Sequence, residues 1–206
     1  MINLEFLVLG RLENNTFVLT DEETGEIAVI DPSCESDELV SLIEQKGGNL
    51  KYILLTHGHF DHIGGVAYLL ERYNPQVCIS KDEMQLLNDN MLNGATIHHM
   101  SVNEVKVDVE LSDGDVLKLG DNEIKFITTP GHTAGSGCYI VGEWLFSGDT
   151  LFCMSIGRTD FPTSNHQQML RSLQKLKSLE GEYVVYPGHD RFSMLSAEKI
   201  YNPYMK

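Results

Sequence analysis

Within the stretch Thr56-His57-Gly58-His59-Phe60-Asp61-His62, three histidines and a carboxylate fall in six consecutive residues, in a chain with eight histidines among 206 residues. Neutral imidazole and carboxylate are the common protein ligands for zinc, manganese and ferrous iron. His57 and His59 are two apart in a tight loop, so their rings can converge on one ion, and Gly58 removes a side chain that would crowd them. Asp61 and His62 are adjacent and can point toward a second ion. A polar surface loop would gather histidines at this density only by chance.

Three more residues of ligand type lie directly past strand-like runs. His132 stands in Pro130-Gly131-His132-Thr133, a turn whose backbone is fixed by Pro and Gly. Asp149 stands in Ser147-Gly148-Asp149-Thr150. His189 stands in Pro187-Gly188-His189, which repeats the grammar of 130–132. Each alone would read as an ordinary turn residue; together with the first cluster they read as ligands. Asp31, at the end of a strand, either orients a ligand histidine from behind or only ends its strand and caps the next helix. Arg158 and Asp160 either form a structural ion pair or leave Arg158 facing an anionic substrate. His98 and His99 have no neighbouring acid or glycine turn and read as a surface loop.

The elements that position these residues follow from apolar periodicity. Strands are expected at 2–9, 16–19 and 26–30, opening a sheet as a meander. A helix is expected at 37–46, closed by Gly47-Gly48. The apolar run 52–55 reads as a buried strand and 64–73 as an amphipathic helix, which puts the cluster on a strand-to-helix loop, where ligands bind in α/β sheets. A strand at 77–80 and a helix at 81–88 follow, then an aperiodic stretch at 90–103. Asp113-Gly114 is a turn between strand-like runs 105–111 and 116–119, and 123–129 is a further strand. Runs 137–141 and 143–146 read as a hairpin around Gly142, and 155–162 is too irregular for an element. Ser164 or Asn165 caps a helix carrying Met169, Leu170, Leu173, Leu176 and Leu179 on one face, ended by Gly181. A last strand at 183–186 and a short helix at 193–201 close the chain. Strands then helices, twice over, imply two similar halves packed sheet against sheet with helices outside.

Composition narrows the function. The length suits one domain, residues 1–206, and a hydrophobic fraction of 42% supplies a real core. A formal charge of -15 disfavours nucleic acid and anionic membrane surfaces as partners. The four cysteines, Cys34, Cys78, Cys138 and Cys153, form no CxxC pair and fit a reducing compartment. The N-terminal apolar run is short and lacks a basic start, and no stretch approaches a membrane span. The expected location is cytoplasmic.

The set His-x-His-x-Asp-His at 57–62, followed by His132, Asp149 and His189, resembles the hallmark of the metallo-β-lactamase superfamily over nearly the whole chain. The resemblance implies an α/β, four-layer αββα sandwich. It implies two divalent metal ions, zinc first, with iron or manganese as alternatives. His57, His59 and His132 would hold the first ion, Asp61, His62 and His189 the second, and Asp149 would bridge them. Within the superfamily the stretches 56–62, 130–133, 146–150 and 186–189 resemble the glyoxalase II-like hydrolases. The loop 157–160 resembles small bacterial members of that branch and also the persulfide dioxygenases. The implied activity is hydrolysis of a small-molecule thioester of the hydroxyacylglutathione type by a hydroxide bridging the ions, with Asp61 and Asp149 as catalytic carboxylates and Arg158 toward the substrate. The alternative is a mononuclear non-haem iron persulfide dioxygenase. True β-lactamases commonly carry cysteine where this chain has Asp149. Glyoxalase II proper carries a helical C-terminal domain that helps hold glutathione; only seventeen residues follow His189, so no such domain is expected and the thiol is left open.

Overall fold

The computed structural model describes residues 1–206. Six strands form a first sheet in sequence order: β1 (Ile2–Leu9), β2 (Asn14–Asp21), β3 (Ile27–Ile30), β4 (Leu50–Leu54), β5 (Gln76–Ser80) and β6 (Val109–Leu111). The first three pair antiparallel, which is the expected meander, and β3 through β6 run parallel. The second sheet contains β7 (Val116–Leu119), β8 (Asn122–Thr128), β9 (Gly137–Val141) and β10 (Trp144–Gly148). A short ribbon of β11 (Leu151–Phe152) and β12 (Ser155–Ile156) intervenes. Then β13 (Val184–Pro187) and β14 (Ser193–Met194) complete the sheet in the order β14-β13-β10-β9-β8-β7. The helices are α1 (Asp37–Gln45), α2 (Phe60–Ile63), α3 (Val66–Leu70), α4 (Met84–Leu87), α5 (His166–Lys177) and α6 (Leu195–Tyr201).

Alternation along the strands builds the four layers, because successive side chains leave a strand on opposite faces. From β2, β3 and β4 the residues Phe17, Leu19, Ala28, Ile30, Tyr52 and Leu54 point into the space between the sheets. There they meet Ile124, Phe126, Tyr139 and Phe146 of the second sheet. Their neighbours Val18, Val29 and Ile53 point the other way, onto Leu39 and Ile43 of α1 and Val66 and Leu69 of α3. On the second sheet Ile127, Cys138, Leu145 and Val185 face outward, onto Met169, Leu173 and Leu176 of α5. Those three side chains are fully buried, each contributing on the order of 1.5–3 kcal/mol relative to exposure. Asn165 caps α5, its side-chain oxygen accepting from the Gln168 N–H at 3.0 Å; Leu179 lies beyond the helix but packs in the same cluster. This is the expected αββα arrangement, with β9 and β10 forming the expected hairpin.

Several expected elements differ. The helix expected at 64–73 is the shorter α3, and a separate turn, α2, precedes it at Phe60–Ile63, so Asp61 and His62 ride on a helical turn rather than a loop. The break at Gly64-Gly65 has a packing cause. A Cβ on Gly64 would stand 2.5 Å from the Ser33 carbonyl oxygen, and one on Gly65 2.5 Å from that of Cys34. The run 105–111 is a strand only over its last three residues. The Asp113-Gly114 turn closes no hairpin; it carries the chain from the first sheet to the second. The helix at 81–88 begins as a turn of 3-10 helix before α4. The irregular stretch 155–162 contributes β12 to the small ribbon.

Candidate metal centre

All seven expected ligands come together past the carboxyl ends of their strands. His57 and His59 follow β4, His132 follows β8, Asp149 follows β10 and His189 follows β13, while Asp61 and His62 stand on α2. Their ligand atoms form three overlapping groups, each within 4.8 Å: His57, His59 and His132; His57, His62 and Asp149; and Asp61, His62 and His189. The two Pro-Gly-His turns need their glycines for close approach. At Gly131 a Cβ would collide with the backbone of Met169 on α5. At Gly188 it would stand 2.5 Å from Asp149 Oδ1 and 2.6 Å from His62 Cε1.

Four of the five imidazoles are oriented from behind through Nδ1, and the hydrogen-bond pattern assigns their tautomers. His62 Nδ1 lies 2.9 Å from Asp31 Oδ2, His132 Nδ1 2.9 Å from the Arg158 carbonyl, and His189 Nδ1 3.0 Å from the Leu12 carbonyl. Each oxygen accepts, so each Nδ1 carries the proton. Thr56 Oγ1 donates to Asp31 Oδ2 at 2.6 Å, which leaves it to accept from His57 Nδ1 at 3.1 Å. Four unprotonated Nε2 atoms therefore face inward. His59 is reversed: its Nδ1 points in, 2.9 Å from His132 Nε2.

The donor set fits divalent cations. The inward Nε2 of His57 and the Oδ1 of Asp149 are buried without a hydrogen-bond partner inside the chain, a costly state for polar atoms. Asp149 faces both halves: Oδ1 is 3.4 Å from His62 Nε2 and 3.8 Å from His189 Nε2, and Oδ2 is 3.4 Å from His132 Nε2. Asp61 Oδ2 is 3.2 Å from His189 Nε2.

Electrostatics divide the cluster. Burial, reinforced by neighbouring imidazoles, pushes His57 well below its ordinary value and His59 down to about 3, and burial also lowers His132. These three are neutral, the form in which imidazole binds a metal. At His62 burial opposes the charge, but Asp61, Asp149 and Asp31 prevail and raise it well above the usual value. His189 is raised against burial by Asp61 and Asp149. Burial likewise opposes ionisation of Asp149, yet His62, His132 and His189 hold it well below the carboxylate range. The carboxylates that raise His62 and His189 would equally favour a cation beside their Nε2 atoms.

Asp31 settles as an orienting residue. It accepts from the Thr56 N–H at 2.8 Å as well as from His62, and the cap of α1 is Ser36 instead. Arg158 and Asp160 form a bidentate pair at 2.9 Å through both contacts, with the guanidinium over the Phe161 ring. His98 and His99 belong to no ligand group, as expected; the His98 ring lies tilted against Phe60 with ring centroids 4.7 Å apart.

Three supporting residues escaped the sequence reading. Asn14 Nδ2 lies 3.0 Å from His62 Nε2. Thr56 orients His57, and its position next to the cluster was the only signal it gave. Glu83 is buried, and its carboxylate accepts the N–H groups of Gly58 at 3.0 Å and Gly135 at 2.8 Å. It joins the loop of His57 and His59 to the loop after His132; burial raises its pKa despite these bonds. No sequence spacing announces it.

The centre lies at the base of a cleft of about 640 Å³, whose walls include Phe60, Ile97, Phe152, Ile156, Phe161 and Pro162. Burial pushes the thiols of Cys78 and Cys138 up, to about 12 and about 11, so neither is a ready nucleophile.

Known proteins resemble this chain over nearly its whole length. Hydroxyacylglutathione hydrolase GloC of Haemophilus influenzae is 30% identical, over 99% of this chain and 98% of its own. Among solved structures, BLEG-1 B3 metallo-beta-lactamase superposes with a TM-score of 0.92 at 31% identity, covering 99% of this chain and 100% of its own. TTHA1623 in a di-iron-bound form gives 0.86 at 32% identity, covering 97% and 99%. The model of the metallo-beta-lactamase superfamily matches residues 9–189, which contain every ligand candidate. With fold, ligand set and matched span in agreement, the chain belongs to the metallo-beta-lactamase superfamily.

Proposed function

We propose that this chain is a binuclear metal-dependent hydrolase of thioesters. The observation that carries the binuclear reading is the placement of Asp149, one oxygen toward His132 and the other toward His62 and His189. His57, His59 and His132 would hold one ion, Asp61, His62 and His189 the other, with Asp149 shared. When bound, two such cations lower the pKa of a water toward neutrality and stabilise negative charge on a carbonyl oxygen.

The rest follows from the chain's own residues. The cleft, walled in part by apolar side chains, seats the acyl part of a substrate over the centre. Asp61 lines that cleft, and its carboxylate is placed to hold a proton released during attack. Asp31, Thr56 and the Leu12 and Arg158 carbonyls keep the imidazoles aimed inward. A thiolate leaves without strong acid assistance, so no further proton donor is required. The similarity to GloC supports a thioester as substrate. The test is turnover of S-lactoylglutathione by protein reconstituted with zinc. Release of free thiol is expected; an inert thioester over a fully loaded centre would overturn the proposal.

A further inference from the structure

One wall of the cleft over the metal centre is too small to stand by itself. Phe152 and Ile156 line the cleft, and both belong to the ribbon β11–β12. The Phe152 ring lies edge-on to that of His189, with centroids 6.2 Å apart. The ribbon pairs only Leu151 with Ile156 and Phe152 with Ser155, and an isolated hairpin is marginally stable at best. Its turn adds a cost: Met154 sits at φ +60°, a left-handed conformation uncommon for any residue but glycine. Another part of the chain must hold this ribbon in place.

The base of the ribbon is held by Ser147, whose Oγ donates to the Leu151 carbonyl at 2.7 Å. The turn is held by α6. Glu198 Oε2 accepts from the Met154 N–H at 2.9 Å, and Asn202 Nδ2 donates to the Ser155 carbonyl at 3.0 Å. The two side chains also bond to each other, Asn202 Nδ2 donating to Glu198 Oε2 at 2.8 Å. The Asn202 amide has one orientation, because its Oδ1 accepts from the Tyr204 N–H at 3.0 Å. Glu198 and Asn202 are 1% and 0% exposed, so these bonds lie out of water, where a hydrogen bond is electrostatically stronger. The region of α6 is itself fastened to that of α5. Lys199 Nζ donates to the Leu179 carbonyl at 2.7 Å and Lys177 Nζ to that of Met205 at 2.6 Å, and Leu195 and Met205 are buried in one cluster with Leu173 and Leu176. Glutamate and asparagine are rarely buried so completely; here they satisfy the turn behind the cleft wall.

We infer that Glu198 and Asn202 are positioning residues: they hold the ribbon so that Phe152 and Ile156 form a fixed wall, and that wall selects the acyl group by its apolar length. This rests on the thioester reading and deepens it, since it assigns the acyl group an apolar chain lying along the ribbon.

The test uses thioethers, which bind without being hydrolysed, on zinc-loaded protein. S-hexylglutathione and S-methylglutathione differ only in alkyl length, so the thiol half cancels. Each methylene buried on the wall tightens binding about threefold, and calorimetry is expected to favour S-hexylglutathione by roughly tenfold or more. Glu198→Ala should abolish most of that margin, and Asn202→Ala, which keeps the Glu198–Met154 bond, part of it. Both should leave S-methylglutathione affinity and zinc content unchanged. Glu198→Gln keeps a carbonyl oxygen for the Met154 N–H and should retain the margin. Amide exchange at Met154 should quicken in Glu198→Ala and not in Glu198→Gln. Ile156→Ala alters the wall directly and should shrink the margin with α6 intact. Three results would overturn the assignment: no margin in the unaltered protein, a loss in the α6 variants shared equally by both thioethers, or a margin that Ile156→Ala leaves whole. Turnover of S-lactoylglutathione by the unaltered protein, measured separately, decides the hydrolase reading.

Discussion

Asp31 Oδ2 stands 2.9 Å from His62 Nδ1, behind the imidazole and away from the centre, and the same carboxylate accepts the backbone N–H and the hydroxyl of Thr56. One buried side chain therefore sets the orientation of His62 directly and of His57 through Thr56. Loss of such outer partners typically costs about 10–100-fold in metal affinity. Asp31→Asn is expected to weaken zinc binding within that range while the fold survives; competition with a chromophoric chelator measures it. Unchanged affinity would remove the orienting role.

Asp149 and Arg158 should separate cleanly. Asp149→Ala removes a carboxylate placed toward both halves of the ligand set, so both metal occupancy and turnover should fall. Arg158→Ala removes an exposed ion pair of small energetic weight and should leave metal content intact. Elemental analysis of the two variants reads the contrast; an Asp149→Ala protein that keeps two metals and its full rate would refute the shared-ligand assignment.

Glu83 holds two loops together through Gly58 and Gly135. Glu83→Ala leaves two buried N–H groups unpaired, each costing on the order of 1–3 kcal/mol. A lower unfolding midpoint and weaker metal binding are expected together. Glu83→Gln can still accept through its carbonyl oxygen at one of the two N–H groups and should recover part of both losses. If the glutamine variant behaves like the alanine variant, the carboxylate acts by charge rather than by position.

Acid stability has a local contributor far from the centre. Glu26 accepts from Lys51 Nζ at 2.8 Å and from the Gly120 N–H at 2.7 Å, tying the first sheet to the turn between β7 and β8. The Lys51 and Gly120 contacts lower its pKa, outweighing burial. A carboxylate whose folded pKa is depressed contributes stability that is present above its unfolded value and lost as pH falls through the folded one. Glu26→Gln should therefore lower the thermal midpoint near pH 7, and the gap from the unaltered protein should narrow as the pH falls below the ordinary glutamate value and through the depressed folded one. A gap independent of pH would place the effect in shape rather than charge.

What the sequence made legible was whatever repeats or runs unbroken. Continuous apolar runs such as Phe17-Val18-Leu19 and Ile27-Ala28-Val29-Ile30 announced strands. The repeated Pro-Gly-His turns announced ligands, because glycine is required where the chain passes Met169 or Asp149 closely. Contacts between distant segments left no such mark. Asn14 meets His62 from 48 residues away, and Glu83 reaches Gly135 from 52. The helix expected at 64–73 forms only over Val66–Leu70, and its two leading glycines serve a close approach to residues 33 and 34, which apolar periodicity does not record. Arg158 could be read either way, since two residues' separation from Asp160 permits a pair without requiring one.

The most direct measurement is a titration of metal-free protein with zinc under strict anaerobiosis, following both bound metal and hydrolysis of S-lactoylglutathione. Turnover should rise until two equivalents are bound and should need neither iron nor oxygen. If activity instead requires a single ferrous ion and consumes oxygen with glutathione persulfide, while thioesters stay intact, the binuclear hydrolase is contradicted and a mononuclear dioxygenase takes its place.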